Sequence, residues 1–186
     1  MQPIASNRVH VLALTEEAPP DFVEGARQLL LEYGEFVRAE GNAAHFCYEG
    51  LAAEAAGLPQ SYLEKGGELL VTVREILVDG KAAVELVGCV GWRRIPRPAW
   101  APVTEEAAEL KRLWVEPEAR GLGAGLALVE AVIAAARVAG ATALYLDTVQ
   151  ESMASAVALY RGLGFLPCES YTGATLSTVN CYRLGL

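Results

Sequence analysis

Histidine and cysteine are scarce in this sequence, and their spacing does not match the usual zinc sites. The 186 residues contain two histidines, His10 and His45, which lack the partner pattern of metal or triad chemistry. The four cysteines are Cys47, Cys89, Cys168 and Cys181. No two of them have the Cys-x-x-Cys spacing of zinc or dithiol sites. We therefore predict no metal site and expect mainly small buried cysteines in a reducing compartment.

Positive charge and long hydrophobic runs are also scarce. The chain has 15 Lys and Arg residues against 23 Asp and Glu residues, a net charge of −8. Without a basic stripe, it is not expected to bind nucleic acid. Its longest apolar stretch, residues 122–146, is interrupted by Glu130, Arg137 and Gly140, and residues 9–14 are too short for a signal peptide. We therefore expect a cytoplasmic protein that does not bind a membrane.

The order of hydrophobic segments predicts one domain, residues 1–186, with mixed α+β structure. Hydrophobic residues make up 53% of the chain, enough for a substantial core. Asp79-Gly80 lies between two apolar segments and predicts a β-hairpin. The predicted strands cover residues 9–14, 68–78, 82–94, 107–115, 143–148, 165–171 and 179–184. The predicted helices cover residues 20–38, 44–56 and 153–162, with Ser152 as the N-cap of the last. A further helix is predicted by the helical spacing of Leu122, Leu126, Val129, Ile133 and Ala136.

The most informative segment is Arg120-Gly121-Leu122-Gly123-Ala124-Gly125-Leu126, which separates a predicted strand from this last helix. A helix N-terminus carries unpaired N–H groups and the positive end of the helix dipole, and glycines let an anion approach them. A phosphorylated ligand is therefore expected. The dinucleotide pattern Gly-x-Gly-x-x-Gly fails because Leu126 occupies the third glycine position. A Walker A loop is also excluded, since no Gly-Lys-Ser/Thr follows.

Two further segments accompany this loop. The strand Glu109-Leu110-Lys111-Arg112-Leu113-Trp114-Val115 precedes it, and Leu159-Tyr160-Arg161-Gly162-Leu163-Gly164-Phe165 follows it. Together with the pattern Arg120-x-x-Gly123-x-Gly125, they resemble the GNAT superfamily of N-acetyltransferases. The resemblance runs from residue 69 to the C-terminus and is strongest over residues 109–165. It implies a mixed, mostly antiparallel sheet of six to seven strands flanked by about four helices.

The resemblance also implies acetyl-coenzyme A as the acyl donor. The strand before the loop would splay from its neighbour and pair with the pantetheine arm. The N–H groups of the loop would hold the pyrophosphate, with added charge from Arg120. The N–H of Leu113 would donate to the oxyanion of the tetrahedral intermediate. The implied donor-binding residues are Leu113, Trp114, Val115, Arg120, Gly121, Leu122, Gly123, Ala124, Gly125 and Leu126.

Tyr160 is the catalytic acid that the resemblance implies. Its phenol is neutral at working pH and can donate a proton to the departing coenzyme A thiolate. The alternative is a Tyr160 that only packs its ring against the cofactor or in the core. Asparagine lies seven residues before this tyrosine in many members and bonds the pantetheine, but the position here is Met153. Ser152 and Ser155 are nearby hydroxyls that offer a substitute.

Glu109 is the predicted base, because some members place a catalytic glutamate at the start of this strand. Strand alternation predicts a shared face for Glu109, Lys111, Leu113 and Val115. Three alternatives stay open: a structural Glu109, proton removal through water, and the nearby residues Glu105 and Glu106. Asp147, near the end of its predicted strand, either anchors a cationic acceptor or closes a turn, and the turn is favoured.

The sequence therefore predicts an N-acetyltransferase that moves an acetyl group from acetyl-coenzyme A to a primary amine of a small molecule or peptide. The transfer would be direct, through a tetrahedral intermediate. The alternative is an acyl-coenzyme A-binding regulatory module with little catalysis, for which Met153 is the only hint. A homodimer through the C-terminal strands is a further expectation from the resemblance. Nothing in residues 20–67 specifies the acceptor.

Overall fold

The computed structural model describes residues 9–39, 50–149, 153–172 and 179–186. Seven strands form one sheet in the order β1-β2-β3-β4-β5-β7-β6. The strands are β1 (Val9–Ala13), β2 (Glu68–Val78), β3 (Lys81–Arg94), β4 (Ala107–Val115), β5 (Ala143–Val149), β6 (Leu166–Cys168) and β7 (Val179–Gly185). All neighbouring strands are antiparallel except β4 and β5, which are parallel. This mixed, mostly antiparallel sheet confirms the predicted fold class.

Helices cover both faces of the sheet. The α-helices within the described ranges are α1 (Pro20–Ala39), α2 (Leu51–Ala56), α3 (Gln60–Leu63), α4 (Ala124–Val138) and α5 (Ala154–Gly162). The core under α1–α3 includes Leu30 and Tyr62, and the core under α4 and α5 includes Ile133 and Tyr160. Of the helices that are described, none has the length and apolar character needed to cross a membrane.

Local sequence explains how two of these elements are bounded. Pro20 opens α1, where its missing N–H costs nothing, while Asp21 in the first turn and Arg38 in the last suit the helix dipole. Asp79 and Gly80 have φ values of 51° and 76°. This left-handed backbone is what a two-residue turn between paired strands requires, and the predicted hairpin of β2 and β3 is confirmed.

The parallel strands β4 and β5 separate along their length. They pair only at residues 107–109 of β4, opposite residues 143–145 of β5. On its other edge β4 pairs with β3, and the register shifts near Arg112, whose φ is 61°. This β-bulge places one extra residue in β4 and reverses the alternation of its side chains. The result is a gap between β4 and β5 with a bulge at its edge.

Two predicted elements differ from the structure in extent. The strand predicted over residues 165–171 is only the three-residue β6, and Tyr171 beyond it donates its hydroxyl proton to Glu109. The helix predicted over residues 44–56 is seen as α2, which begins at Leu51. Residues 44–49 and the predicted N-cap Ser152 lie outside the described residues.

The predicted buried face of α4 is partly wrong. Gly123 is in the left-handed region and caps the helix, so Leu122 lies before α4 rather than in it. Leu126 is in the first turn and is 42% exposed. The face that packs on the sheet consists of Ala124, Leu128, Val129, Val132, Ile133 and Ala136.

Candidate active site

A groove opens where β4 and β5 separate, and two adjoining cavities form it. The larger cavity has a volume of about 510 Å³ and the smaller about 350 Å³. The residues that line both are Tyr33, Leu113, Met153 and Ala156. The smaller cavity reaches Arg120, in the loop between β4 and α4, and the larger reaches α2 and α3. The glycine loop and the pocket-forming helices therefore lie at opposite ends of one groove.

We call the loop and first turn formed by residues 121–126 the cradle. Gly121 and Gly123 have φ values of 78° and 83°, and a Cβ at either position would meet no atom within 4 Å. The first turn of α4 begins at Ala124, so its leading N–H groups lack intrahelical partners. Open space, unpaired N–H groups and the positive helix end together suit a phosphate group.

Arg120 places a cation on the smaller cavity beside the cradle. Its Nε donates a 3.0 Å hydrogen bond to the carbonyl oxygen of Val115. Its guanidinium carbon lies 5.0 Å from the centroid of the Trp114 ring, an arrangement that favours a cation–π contact. Trp114 in turn packs against Phe36, with 5.3 Å between ring centroids. The smaller cavity is thus an aromatic-walled channel with a positive charge at one end.

The bulge at Arg112 overturns one prediction, that of a shared face for Glu109, Lys111, Leu113 and Val115. Leu110 belongs to the core under α4, and Leu113 and Val115 pack against that same core. Leu110 and Leu113 are three residues apart and yet lie on the same face of the sheet. Regular strand alternation would put them on opposite faces, and the bulge explains the difference. Leu113 has no register partner on β3 or β5, and it lines both cavities.

Tyr160 lines the larger cavity from α5. Its side chain is buried and its ring packs on Phe165, with 5.7 Å between ring centroids. Burial raises the pKa of the phenol well above 10, and the negative charge of Asp147 adds to this. Tyr160 is therefore neutral at physiological pH and keeps a proton to donate. It both packs in the core and faces the cavity, so the two interpretations of its role are compatible.

Glu109 also lines the larger cavity, but two neighbours hold its carboxylate. Arg93 Nε lies 2.7 Å from Oε2, and the Tyr171 hydroxyl donates a 3.0 Å hydrogen bond to Oε1. The structure thus contains the salt-bridged Glu109 that the sequence left open. The two alternative candidates for the base do not line either cavity: Glu105 pairs with Arg183, and Glu106 lies beside Arg94.

A cluster of buried charges, which we call the charged wall, bounds the larger cavity: Glu54 of α2 with Lys111 and Arg112 of β4. Arg112 Nε lies 3.2 Å from Glu54 Oε1, and Lys111 Nζ lies 3.1 Å from Oε2. The Tyr62 hydroxyl also donates a hydrogen bond to Glu54. The bulge is what brings Lys111 and Arg112, consecutive residues, to the same carboxylate.

The charges of this wall shift one another's pKa. Burial alone would raise the pKa of Glu54, but the cations Arg112 and Lys111, with hydrogen bonds from Arg112 and Tyr62, outweigh it and lower the pKa to about 2. Burial lowers the pKa of Lys111, and the charge of Arg112 lowers it further. Glu54 is therefore ionised throughout the physiological range and the wall is permanently polar.

Asp147 lies in the middle of β5, opposite Cys181 of β7, so the prediction that it closes a turn is wrong. The strand continues to Val149, one residue beyond its predicted end. The side chain lines the larger cavity. Burial raises the pKa of its carboxyl, and the negative charge of Glu109 raises it further.

Met153 occupies the junction of the two cavities, where the family pattern has asparagine. It caps the N-terminus of α5 without a side-chain hydrogen bond, and its sulfur accepts a 3.3 Å contact from the Thr148 hydroxyl. Ser155 lines the smaller cavity, while Ser152 lies outside the described residues. Within the described ranges, no group of three or more His, Cys, Asp or Glu side chains is arranged to hold a metal ion.

Sequence reasoning missed three residues of this site: Arg93, Glu54 and Arg112. Glu54 lies in a short helix with no motif, and nothing in its surroundings signals a buried carboxylate. The only sequence signal for Arg112 is a pair of adjacent cations in a mainly apolar strand. A left-handed arginine in a strand has no sequence signature, since this backbone is rare for residues other than glycine, asparagine and aspartate.

The sequence profile of the acetyltransferase (GNAT) family matches residues 28–165, a range that includes α2, β4, the cradle, β5 and Tyr160. The chain belongs to this family. It is therefore an acyltransferase, and the predicted resemblance is confirmed. Acetyltransferases of this family take the acyl group from acetyl-coenzyme A and act on amine acceptors.

Similar proteins agree with this assignment. An uncharacterized N-acetyltransferase of Schizosaccharomyces pombe is 38% identical over 76 residues, which span 41% of this chain and 46% of that protein. A GNAT acetyltransferase of Staphylococcus aureus Mu50 has a TM-score of 0.66 at 17% identity, covering 96% of this chain and 99% of that one. A GNAT acetyltransferase of Elizabethkingia anophelis, with acetyl-CoA bound, has a TM-score of 0.55 at 19% identity, covering 97% and 99%. At these identities the structural likeness shows the fold alone.

Proposed function

We propose that this GNAT protein transfers the acetyl group of acetyl-coenzyme A directly to a primary amine of a small molecule or peptide. The observation that supports this best is the junction of the two cavities. Leu113 lines both cavities, the cradle lies beyond one, and Tyr160 lines the other. A donor in the smaller cavity and an acceptor in the larger would therefore meet at the bulge of β4.

The donor would bind along the smaller cavity. The cradle and Arg120 would hold the pyrophosphate, and the β5-facing edge of β4, which has no strand partner beyond Glu109, would hold the pantetheine arm. The residues in this role are Leu113, Trp114, Val115, Arg120, Gly121, Leu122, Gly123, Ala124, Gly125 and Leu126. When bound, acetyl-coenzyme A supplies an acetyl group activated as a thioester.

Leu113 and Tyr160 would act on the reacting groups. Leu113 lies in the bulge without a register partner on either neighbouring strand, and its N–H would stabilise the developing negative charge. Tyr160, neutral and buried on the larger cavity, would donate its phenolic proton to the departing thiolate. Leu113 lines both cavities and Tyr160 lines the larger one, so both assignments place a donor group beside the reacting atoms.

Glu109 is one candidate for the base that removes a proton from the amine. It lines the acceptor cavity, which is the required location. Its carboxylate is nevertheless ion-paired with Arg93, and a proton accepted there would cancel that attraction. The contacts therefore support a second role, in which Glu109 fixes the positions of Arg93 and Tyr171 beside the cavity.

The test is thiol release from acetyl-coenzyme A by the purified protein with a panel of primary amines. We expect release to rise on adding an amine, because direct transfer couples thioester cleavage to the acceptor. Slow release that no amine accelerates would favour the alternative of a regulatory acyl-coenzyme A-binding module, which Met153 at the junction suggests. The panel includes amino acids, polyamines and a short peptide, since the residues that line the cavity do not specify one acceptor.

Two expectations from the sequence stay predictions. The homodimer is one, and a cross-linking or light-scattering measurement would test it. The cytoplasmic location is the other, and it rests on the cysteine usage: Cys89 and Cys181 are buried and unbridged, and Cys168 is also a free thiol.

A further inference from the structure

Three carboxylates line the larger cavity, and only two of them are held by cations. Glu54 pairs with Arg112 and Lys111, and Glu109 pairs with Arg93. Within the described part of the chain, no hydrogen bond or ion pair joins the carboxylate of Asp147 to another side chain. Asp147 therefore differs from the other two: its charge lies on the cavity without a protein cation bound to it.

The position of Asp147 places it at the reaction centre of the proposed function. It lies on β5 beyond residue 145, the last residue that pairs with β4, so it borders the gap in the sheet. It lines the same cavity as Tyr160 and Leu113. Its charge also raises the pKa of Tyr160, which means that the two groups are close enough to interact.

The surroundings of Asp147 favour a carboxylate that can exchange a proton. The groups that face it are Glu109, Lys111 and Arg112 of β4, Tyr160 of α5, Cys181 of β7 and Tyr171 of the segment after β6. Burial and the charge of Glu109 disfavour the ionised form, whereas Lys111 and Arg112 favour it. The net effect is a raised pKa, which makes Asp147 a better proton acceptor than an exposed aspartate.

We propose that Asp147 binds the ammonium group of the acceptor and accepts the proton that the amine must lose before attack. The inference rests on the proposed function and identifies its base. An alkyl ammonium ion has a pKa of about 10, so it reaches the cavity protonated and brings the cation that Asp147 lacks. Proton acceptance by Glu109 instead would break an existing ion pair.

These roles account for every proton in the transfer reaction. Asp147 takes one proton from the ammonium nitrogen and then releases it to solvent. The nitrogen then bonds the acetyl carbon, the carbon–sulfur bond breaks, and Tyr160 gives its proton to the sulfur. The second proton lost by the nitrogen restores the Tyr160 phenol. The products are the amide, the free thiol and one proton in solvent.

The titration of Asp147 can be followed directly, because the chain contains only three aspartates: Asp21, Asp79 and Asp147. Protein labelled with ¹³C at the aspartate carboxyls gives three NMR signals, and the Asp147→Asn variant identifies the Asp147 signal by its absence. Asp21 and Asp79 are exposed and serve as internal references. We expect the Asp147 signal to titrate above the ordinary value of 3.8.

A cationic probe tests the ammonium site without any knowledge of the acceptor. Butylammonium chloride should shift the Asp147 signal and lower its titration midpoint, because a bound cation favours the ionised carboxylate. Tetramethylammonium chloride at equal concentration has the same charge but no N–H donor and should leave the signal in place. A midpoint at or below 3.8, or an equal response to both salts, would overturn the proposal.

Kinetics with an amine that supports thiol release separate this proposal from the proposed function. Asp147→Asn should lower kcat/KM about 100-fold near neutral pH and leave acetyl-coenzyme A binding intact. The loss should shrink at high pH, where the amine is already neutral. If Glu109→Gln flattens the pH profile and Asp147→Asn does not, the assignment to Asp147 is wrong although the protein is still an acetyltransferase. Wild-type protein without amine-dependent release would instead count against the proposed function.

Discussion

The cradle and the charged wall lie at opposite ends of one groove and are built by different means. The cradle consists of backbone: glycines with left-handed φ angles and the first N–H groups of α4. The charged wall consists of side chains, and its central ion pair joins Glu54 to Arg112, 58 positions apart in the chain. The cradle therefore needs only its own turn and helix, whereas the wall needs α2, β4 and the bulge in place together. Damage to one end should leave the other functional.

The largest effect expected is on stability, from Glu54→Gln at the wall. The substitution leaves Arg112 and Lys111 buried without their carboxylate, and breaking a buried pair costs about 3 kcal/mol of unfolding free energy. Urea unfolding measures this cost. The control is Glu24→Gln, which removes an exposed partner of Arg27 on α1 and should cost little. Equal stability of the two variants would show that the wall is not a structural ion network.

The same variant has a characteristic pH dependence. Glu54 titrates near 4.5 when exposed and at about 2 in the folded protein, so its interactions stabilise the protein fully above the unfolded pKa. That contribution is lost as the pH falls from about 4.5 through 2. The stability difference between wild type and Glu54→Gln should therefore narrow over this range. A difference that stays constant from pH 7 to pH 2 contradicts the lowered pKa of Glu54.

These two ends also differ in how far sequence alone could predict them. The glycine spacing after Arg120 and the block around Tyr160 correctly predicted the left-handed glycines of the cradle and the position of Tyr160 beside a cavity, because both depend on short segments of fixed geometry. The wall was missed because it depends on a left-handed Arg112, which no local pattern requires. The fold was predicted down to the hairpin at Asp79. The errors, such as Asp147 at a turn, occurred where strand ends and bulges depend on tertiary packing.

The next largest effect is on turnover, from a substitution at Tyr160 in the larger cavity. Tyr160→Phe should lower turnover at least about tenfold with little change in acetyl-coenzyme A affinity, because only the transferable proton is removed. Tyr145→Phe is the matched control. Its hydroxyl bonds Glu105 and its ring does not line either cavity, so turnover should stay close to wild type. Unchanged turnover in Tyr160→Phe would remove this tyrosine from the mechanism.

The smallest effect tests the departure at Met153. The Met153→Asn substitution adds a side-chain amide that can hydrogen-bond the pantetheine arm of the donor. Asparagine is also a better N-cap for α5 than methionine. One added hydrogen bond should tighten acetyl-coenzyme A binding about threefold. Met153→Leu, which keeps an apolar side chain, should show no gain. An affinity that stays at the wild-type value in Met153→Asn would mean that the pantetheine does not pass this residue.

The central claim, a donor site made of backbone at the cradle, is tested most directly by calorimetric titration with acetyl-coenzyme A. The variants are Gly123→Glu and the control Gly80→Glu, which shares the left-handed φ, the open surroundings and the added charge but lies at the tip of the hairpin. We predict saturable binding by wild type and Gly80→Glu, and affinity at least about 100-fold weaker in Gly123→Glu, because like charges are brought together. Equal binding by all three proteins, or no binding by wild type, would contradict the account.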